Sequence, residues 1–296
     1  MRVVVLSNPR SGRGRAQLLG DRIADTLVAR GHVAKRLVIG AHEELDAVRL
    51  ASADALVVVG GDGTVHHAAD AAIAADTPIY HAACGNENLF AREFAMSADP
   101  ERIVRAVEDA RTTRVDLARC NTQSFLIMCS LGPDAGIIRR LDKSRTKATG
   151  HLAYLEPVID ETFHPSIPRL SVEVDGEKIV DARRGMLVVA NSRQYALRID
   201  PAPRARIDDG LLDVVFLPHA TALAAAGWML AARLRFHLRV RGALHATGRG
   251  VRVTGDGGEL VHQLDGELGA FGEGEDGRAE ALELSVQPGV LPVLLA

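Results

Sequence analysis

Hydrophobic positions in the first third of the chain switch repeatedly between two periods. "RVVVL" at the start is a continuous apolar run. "RAQLLGDRIADTLVARG" then spaces its apolar residues three and four apart and stops at Gly31, and "VAKRLVI" is strand-like again. The succession continues with "HEELDAVRLAS" as helix, "ALVVVGG" as strand, "TVHHAADAAIAA" as helix and "TPIYHA" as strand. Alternation of this kind predicts a parallel sheet with helices on its faces. From about Val115 the pattern changes to short strands punctuated by Gly, Pro and Asp, among them "RVDLARC", "SFLIMCSLG", "RLSVEVDG", "LLDVVFLP", "GVRVTG" and "ALELSVQPG". These predict an antiparallel, β-rich domain with one or two packed helices. The expected division is an α/β domain over 1–117 and a β-rich domain over 118–286, with the segment from about 287 to 296 returning to the first. "ATALAAAGWMLAA", Ala220 to Ala232, is the longest apolar stretch. It falls short of the roughly 20 residues of a membrane-spanning helix, so a buried helix is expected.

Composition narrows the class without naming a chemistry. With 47% hydrophobic and 25% charged residues among 296, the chain reads as a soluble globular protein. A net charge of −3 disfavours a general nucleic-acid binder, which would present a basic face to phosphates. Three cysteines, Cys84, Cys120 and Cys129, show no paired metal spacing and fit a reducing compartment. The N-terminus lacks the apolar core and cleavage site of a secretory signal.

The candidate chemistry begins at "VVVGGDGTVHHAADA". Gly60, Gly61 and Gly63 allow a sharp turn and close backbone approach to a ligand, because no Cβ intervenes. Thr64 stands where a hydroxyl can cap a helix whose N-terminus favours phosphate. Asp62 would repel bound phosphates unless a metal ion or donor intervenes, and a nucleotide with magnesium removes the conflict. A tight turn using Gly and Asp for conformation alone explains the same pentapeptide. "SNPRSGRGRA" supplies a second loop of this kind after the first strand, with Asn8 and Ser11 as polar groups and Arg13 as the cation. Neither loop matches the Walker or dinucleotide patterns.

With "NPRSGRG" and "GGDGT" in this order, the sequence resembles the diacylglycerol kinase catalytic family of lipid kinases, which includes bacterial diacylglycerol kinases, phosphatidylglycerol-kinase-like proteins and sphingosine kinases. "CGNENLFAREFA" occupies the place of the family's "GTxNDFAR" segment, "LGPDAGIIRRL" that of "GFDA", and "GHLAYL" that of "GxLAY". "DDGLLDVVFL" and "QLDGE" follow. The resemblance implies an ATP-binding first domain, a β-rich second domain, a nucleotide site in the cleft between them and γ-phosphoryl transfer to a lipid hydroxyl. It also implies that Gly85, Asn86 and Asn88 join the nucleotide site. Leu89 stands where the family usually has aspartate, and Asn86 where it usually has threonine.

Phosphoryl transfer needs positioning, charge neutralisation and help for a hydroxyl in losing its proton. "LDGE" places Asp265 and Glu267 two apart around Gly266, pointing the same way in a strand or extended turn. The resemblance implies that this motif holds the general base; Asp-Gly is equally a hairpin turn signal. "RIDDGLLD" presents Asp208, Asp209 and Asp213 around a glycine turn as hard oxygen ligands. The resemblance implies a structural Mg²⁺ on the Asp209 carboxylate and the Arg206 and Leu211 carbonyls, and an Asx turn is the alternative. Asp134 in "GPDAG" is implied near the cleft, though a helix N-cap explains it as well.

Adjacent His66 and His67 cannot share a metal as an i, i+4 pair can. "RRLDKSRTK", with Arg139, Arg140, Lys143, Arg145 and Lys147, reads as a solvated helix face or, for a lipid substrate, a site for anionic headgroups. Arg233, Arg235, Arg239 and Arg241 invite the same two readings, the first as the outer face of a strand. The expectation is an ATP- and Mg²⁺-dependent lipid kinase, cytoplasmic and peripheral to the membrane, acting on lipid at its surface, with homodimerisation left open. The alternatives are an NAD kinase, whose related fold shares "GGDG", and a lipid- or nucleotide-binding protein that has lost catalysis.

Overall fold

The computed structural model describes residues 1–9, 11–39, 45–144, 160, 166–256, 260–269 and 281–296. The chain forms two compact units, Met1–Asp116 with Gly289–Ala296, and Leu117–Pro288.

In the first unit, β1 (Arg2–Ser7), β2 (Val33–Val38), β3 (Ala55–Gly60) and β4 (Ile79–Ala83) form a parallel sheet in the order β4-β3-β1-β2. The interior strands β1 and β3 are buried almost throughout, as continuous apolar runs require when helices cover both faces. α1 (Arg15–Ala29) turns Ile23, Ala24 and Leu27 inward onto Val3, Val5, Val57 and Val59. α2 (Asp62–Ala74) and the single-turn α3 (Leu89–Glu93) follow β3 and β4. α4 (Pro100–Asp109) starts at Asp99, whose carboxylate accepts the Glu101 N–H, with Pro100 in the first turn. The predicted helix over "HEELDAVRLAS" is not formed in its described part, which shows only a 3₁₀ turn at Ala47–Leu50. Asp46 gives the Val48 N–H a local partner there, and such a bond competes with helix propagation. Residues 42–44 of that segment lie outside the described residues.

The second unit is a β-sandwich. It contains the end of β5 (Thr112–Cys120), then β6 (Gln123–Phe125), β7 (Met128–Leu131), α5 (Pro133–Ser144), β8 (Arg169–Val174), β9 (Glu177–Ala190) and β10 (Leu212–Pro218). α6 (Ala222–Arg233), β11 (Leu244–Gly248), β12 (Gly250–Gly255), β13 (His262–Leu264), β14 (Glu267–Leu268) and β15 (Ala281–Leu294) follow, the last running on into the first unit.

Long β9 serves both sheets. Residues 185–190 pair with β7 and β10, and residues 177–184 with β8. Just before the change of sheet a bulge interrupts the β8 pairing, where Asp181 and Ala182 oppose Ser171, Ala182 takes a φ of 44°, and its N–H donates to Ser171 Oγ (2.9 Å). Leu187, Val189, Val214, Phe216, Val253 and Leu284 fill the core.

Two sequence expectations fail here. α6 is not buried: Ala231 and Ala232 pack inward, and Trp228 Nε1 donates to the Pro218 carbonyl (2.7 Å), but Leu223 and Leu230 are exposed. Only one flank of the helix meets protein among the described residues. Nor do Arg233, Arg235, Arg239 and Arg241 lie along a strand, because Arg233 ends the helix, Arg235 takes a φ of 59° and Arg239 ends a 3₁₀ turn.

Candidate functional site

β1, β3 and β4 are adjacent, so the three reversals at their carboxyl ends lie side by side, where open α/β sheets bind ligands. The Asn8 N–H donates to the Val59 carbonyl (3.2 Å) and the Cys84 N–H to that of Gly60 (2.9 Å). A Cβ on Gly12, whose φ is +60°, would stand 2.7 Å from the Cys84 carbonyl oxygen, and one on Gly85 would stand 2.7 Å from Gly61 Cα. A Cβ on Gly60 would meet Thr64 Oγ1 at 2.3 Å. These glycines are therefore required first by the loops' packing on one another. Gly61 itself has ordinary room, with 3.5 Å to Gly85 Cα.

Thr64 is not the cap expected from the sequence. α2 begins at Asp62 with Gly61 as its N-cap, so Thr64 sits within the first turn, buried. Its Oγ1 lies 3.4 Å from Asn8 Nδ2 and 3.5 Å from Ser11 Oγ, which brings three hydroxyl or amide groups of two loops together. Asp62 accepts the Phe90 N–H (3.0 Å), so its carboxylate faces the N-terminus of α3. Gly63 follows it in the same helical turn. Asn88, at φ 50° and ψ 52°, closes the third loop by accepting the Gly85 N–H (2.8 Å) and donating to the Gly85 carbonyl (3.0 Å). Asn86 is exposed, and Glu87 pairs with Arg92 (3.5 Å). Leu89 is buried and belongs to the core. The Arg13 backbone lies in the 3₁₀ turn Ser11–Gly14, and its side chain falls outside the described residues.

The second unit holds the acids. "QLDGE" is a hairpin: Asp265 (φ 51°) and Gly266 (φ 89°) form the two-residue turn between β13 and β14, with Leu264 opposite Glu267. Asp265 and Glu267 thus flank a reversal and do not share a strand face. Asp265 Oδ2 accepts the Leu126 N–H (2.7 Å), and its Oδ1 accepts those of Ile127 (2.8 Å) and Met128 (2.9 Å). Glu267 is exposed.

Behind the hairpin runs a network that the sequence did not reveal. Gln263 Oε1 accepts the Gly266 N–H (2.6 Å) while its Nε2 donates to Ser130 Oγ (2.5 Å). Ser130 Oγ in turn donates to Asp134, which also accepts from the Tyr195 hydroxyl (2.8 Å). Burial pushes the Asp134 carboxyl above the usual range, against the lowering effect of these bonds, and burial with the Asp134 charge raises Tyr195 well above its own. Asp134 lies inside the first turn of α5 and its Oδ1 accepts the next N–H, that of Ala135 (2.9 Å), which is not a cap. Gln263 was readable as the residue three before the turn glycine; nothing in the sequence marks Tyr195.

At "RIDDGLLD" the three acids part. Asp209 Oδ1 accepts the Leu211 N–H (3.1 Å) across Gly210, Asp208 meets Arg206 Nε (3.3 Å), and buried Asp213 turns away to His245 Nε2 (2.6 Å). No group of three His, Cys, Asp or Glu among the described residues suits a metal. The exposed Asp209 carboxylate with main-chain carbonyls is nevertheless a hard oxygen set of the kind Mg²⁺ accepts together with water. Lys143's side chain, Arg145, Lys147 and the "GHLAYL" segment lie outside the described residues, and Arg140 is engaged by Asp160 (2.5 Å).

Two consequences are measurable. Asp265→Asn keeps one acceptor oxygen but turns an NH2 donor toward at least one of the three main-chain N–H groups, so unfolding should become easier by about 2–4 kcal/mol, whereas Glu267→Gln should leave chemical denaturation unchanged. Asp134 holds its proton more tightly folded than unfolded, so its contribution is complete below about pH 4 and fades as pH rises through its raised value. Asp134→Asn should therefore gain melting temperature relative to the parent as pH rises from about 4 to 7, and parallel pH profiles would refute the assignment.

Comparison with known proteins agrees with this architecture. Residues 2–120 match the diacylglycerol kinase catalytic domain, and residues 128–295 match the YegS C-terminal NAD kinase beta sandwich-like domain. A diacylglycerol kinase of Mycobacterium tuberculosis is 28% identical over 72% of this chain and 72% of its own. A Pseudomonas aeruginosa protein described as "Probable lipid kinase YegS-like" is 29% identical over 81% and 76%. The crystal structure of a diacylglycerol kinase from Bacillus anthracis superposes with a TM-score of 0.67 at 16% identity, covering 100% of this chain and 97% of that one, which establishes the shared fold. The chain belongs to the diacylglycerol kinase and YegS-like lipid kinase family.

Proposed function

We propose that this protein transfers the γ-phosphoryl group of ATP to the hydroxyl of a diacylglycerol-like lipid, with the first unit binding nucleotide and the second binding lipid. The observation that supports it best is the convergence of Asn8, Ser11 and Thr64 at the carboxyl ends of a parallel sheet, on loops that must be glycine to approach one another. Main-chain N–H groups of these loops and the N-terminus of α2 suit phosphate oxygens. Gly60, Gly61, Asp62, Gly63, Gly85, Asn86 and Asn88 complete this nucleotide site. Asp62, facing the start of α3, sets the third loop against the second.

Of the two acids in the hairpin, Glu267 is the proton acceptor. It is exposed, whereas the Asp265 oxygens are committed to three main-chain donors. Glu267 takes the proton of the lipid hydroxyl as that oxygen bonds to the γ-phosphorus and the bond to the bridging oxygen of ADP breaks. Asp265 acts as a positioning residue by fixing the turn that carries Glu267. Asp209 with the Arg206 and Leu211 carbonyls holds Mg²⁺, whose positive charge steadies the loop preceding β10. No helix among the described residues is long and apolar enough to cross a membrane, and we place the protein peripherally at the cytoplasmic face.

Purified protein given labelled ATP, Mg²⁺ and a panel of diacylglycerol, phosphatidylglycerol, sphingoid base and NAD should label a lipid. Labelling of NAD alone, or of nothing, would overturn the proposal. Glu267→Gln should lower turnover by about 10²-fold or more at unchanged melting temperature. Asp209→Asn should shrink the rise in melting temperature that Mg²⁺ gives the parent, since an ion bound only by the native state stabilises it. An equal rise in both proteins would remove the metal assignment.

A further inference from the structure

Large apolar side chains stand exposed around α6. Leu223 is 85% exposed, Leu230 61% and Leu234 60%, and they follow one another at helical spacing with exposed Ala226 and Gly227 between them. Phe236 continues the stripe at 42%. The far end is joined by the loop carrying Leu197, itself exposed and held at a φ of 55°. That loop is tied to the helix end by Asp200 on Arg235 (2.8 Å) and by the Pro201 carbonyl on His237 Nε2 (2.7 Å). Single exposed leucines are ordinary, but an apolar helix flank extended by Phe236 and Leu197 is not.

Charge distinguishes this surface further. From Val214 to Gly255 the sequence contains no Asp or Glu, yet it contains Arg233, Arg235, Arg239, Arg241, Arg249 and Arg252, in a chain whose net charge is −3. Arg233, Arg235, Arg239 and Arg241 are exposed beside or just after the apolar stripe. An apolar face bordered by guanidinium groups matches a bilayer interface, where acyl chains receive the leucines and anionic phosphates the arginines. A second copy of the chain fits less well, because a two-fold contact would set Arg233, Arg239 and Arg241 near their own counterparts, and the acid at this surface, Asp200, is already engaged by Arg235.

We propose that α6 with the segment to Arg241 is an interfacial anchor, lying in the plane of an anionic membrane with Leu223, Leu230, Leu234 and Phe236 inserted. The choice of a membrane over an acidic protein partner rests on the lipid-kinase reading. The helix has 12 residues, about 18 Å at 1.5 Å per residue, enough to lie in the interface and too short to span it. The indole bond from Trp228 to Pro218 fixes the helix to β10, so the stripe is held outward and is not free to fold back.

Trp228 is the only tryptophan, which makes the anchor directly observable. The full-length protein should float with phosphatidylcholine vesicles containing phosphatidylglycerol, and brominated acyl chains in them should quench its tryptophan emission. The triple variant Leu223→Ser, Leu230→Ser, Leu234→Ser should lose the quenching and bind at least about tenfold more weakly. Arg233→Gln with Arg239→Gln and Arg241→Gln should abolish the preference for anionic vesicles, most clearly at low salt. Melting temperatures should match the parent's. Phosphorylation of a short-chain, water-dispersed acceptor should be unchanged in both variants while that of a long-chain acceptor in vesicles falls. Equal flotation and quenching of parent and triple variant would overturn the anchor, as would a parent that binds no vesicle or uses this face to dimerise. Flotation and quenching require no turnover, so an inactive protein that still binds vesicles through these leucines would defeat the kinase reading and leave the anchor standing.

Discussion

The loop end of the first unit depends on how closely three pieces of main chain approach one another. Gly12 against Cys84, Gly85 against Gly61, and Gly60 against its own Thr64 leave no space for a Cβ. Neighbouring parallel strands bring these loops together, and only glycine lets them touch. Hydrogen bonds then lock the contact. Asn88 closes one loop on Gly85, and His81 Nε2 lies 3.0 Å from the Gly60 carbonyl from within the core. Burial lowers the His81 pKa against the raising effect of Asp62, which favours the neutral ring that a bond to one carbonyl needs.

A different device organises the second unit. There a carboxylate, not missing side chains, gathers the backbone: Asp265 accepts three consecutive N–H groups from residues 126–128 and fixes the β13–β14 turn against the start of β7. The acids of this unit consequently separate by environment. Asp265 is committed to amides, Asp134 is half-buried with hydroxyl donors, Asp213 pairs with His245, and Glu267 stands exposed on the short β14. Identical chemistry in the sequence thus takes different tasks once burial and donors are assigned.

What the sequence could express was period and punctuation. The buried runs at Val3–Leu6 and Ala55–Val59 and the helical spacing of Arg15–Ala29 announced the parallel sheet, because both faces of such strands must be apolar. The glycine loops were legible for the same local reason. Partnership between distant residues was not: nothing near Tyr195 points to Asp134, and nothing near Asp213 points to His245, since the first contact needs β7 paired with β9 and the second β10 paired with β11. α6 misled for a related reason. Its alanine and leucine content reports a preference for leaving water, but not whether protein or some other apolar phase receives it.

Leu89 shows how local and long-range demands meet. The family's usual acid at this position would start α3 within the turn where Asp62 already accepts the Phe90 N–H. A carboxylate in place of Leu89 would have to enter the core, where Leu89 is only 6% exposed. In this chain the negative charge at the N-terminus of α3 is that of Asp62 at the start of α2, 28 residues earlier in sequence but on the loop of the neighbouring strand. Leu89 is thus a core residue where the family pattern has an acid, while Asp62 of the shared "GGDGT" block holds the start of α3.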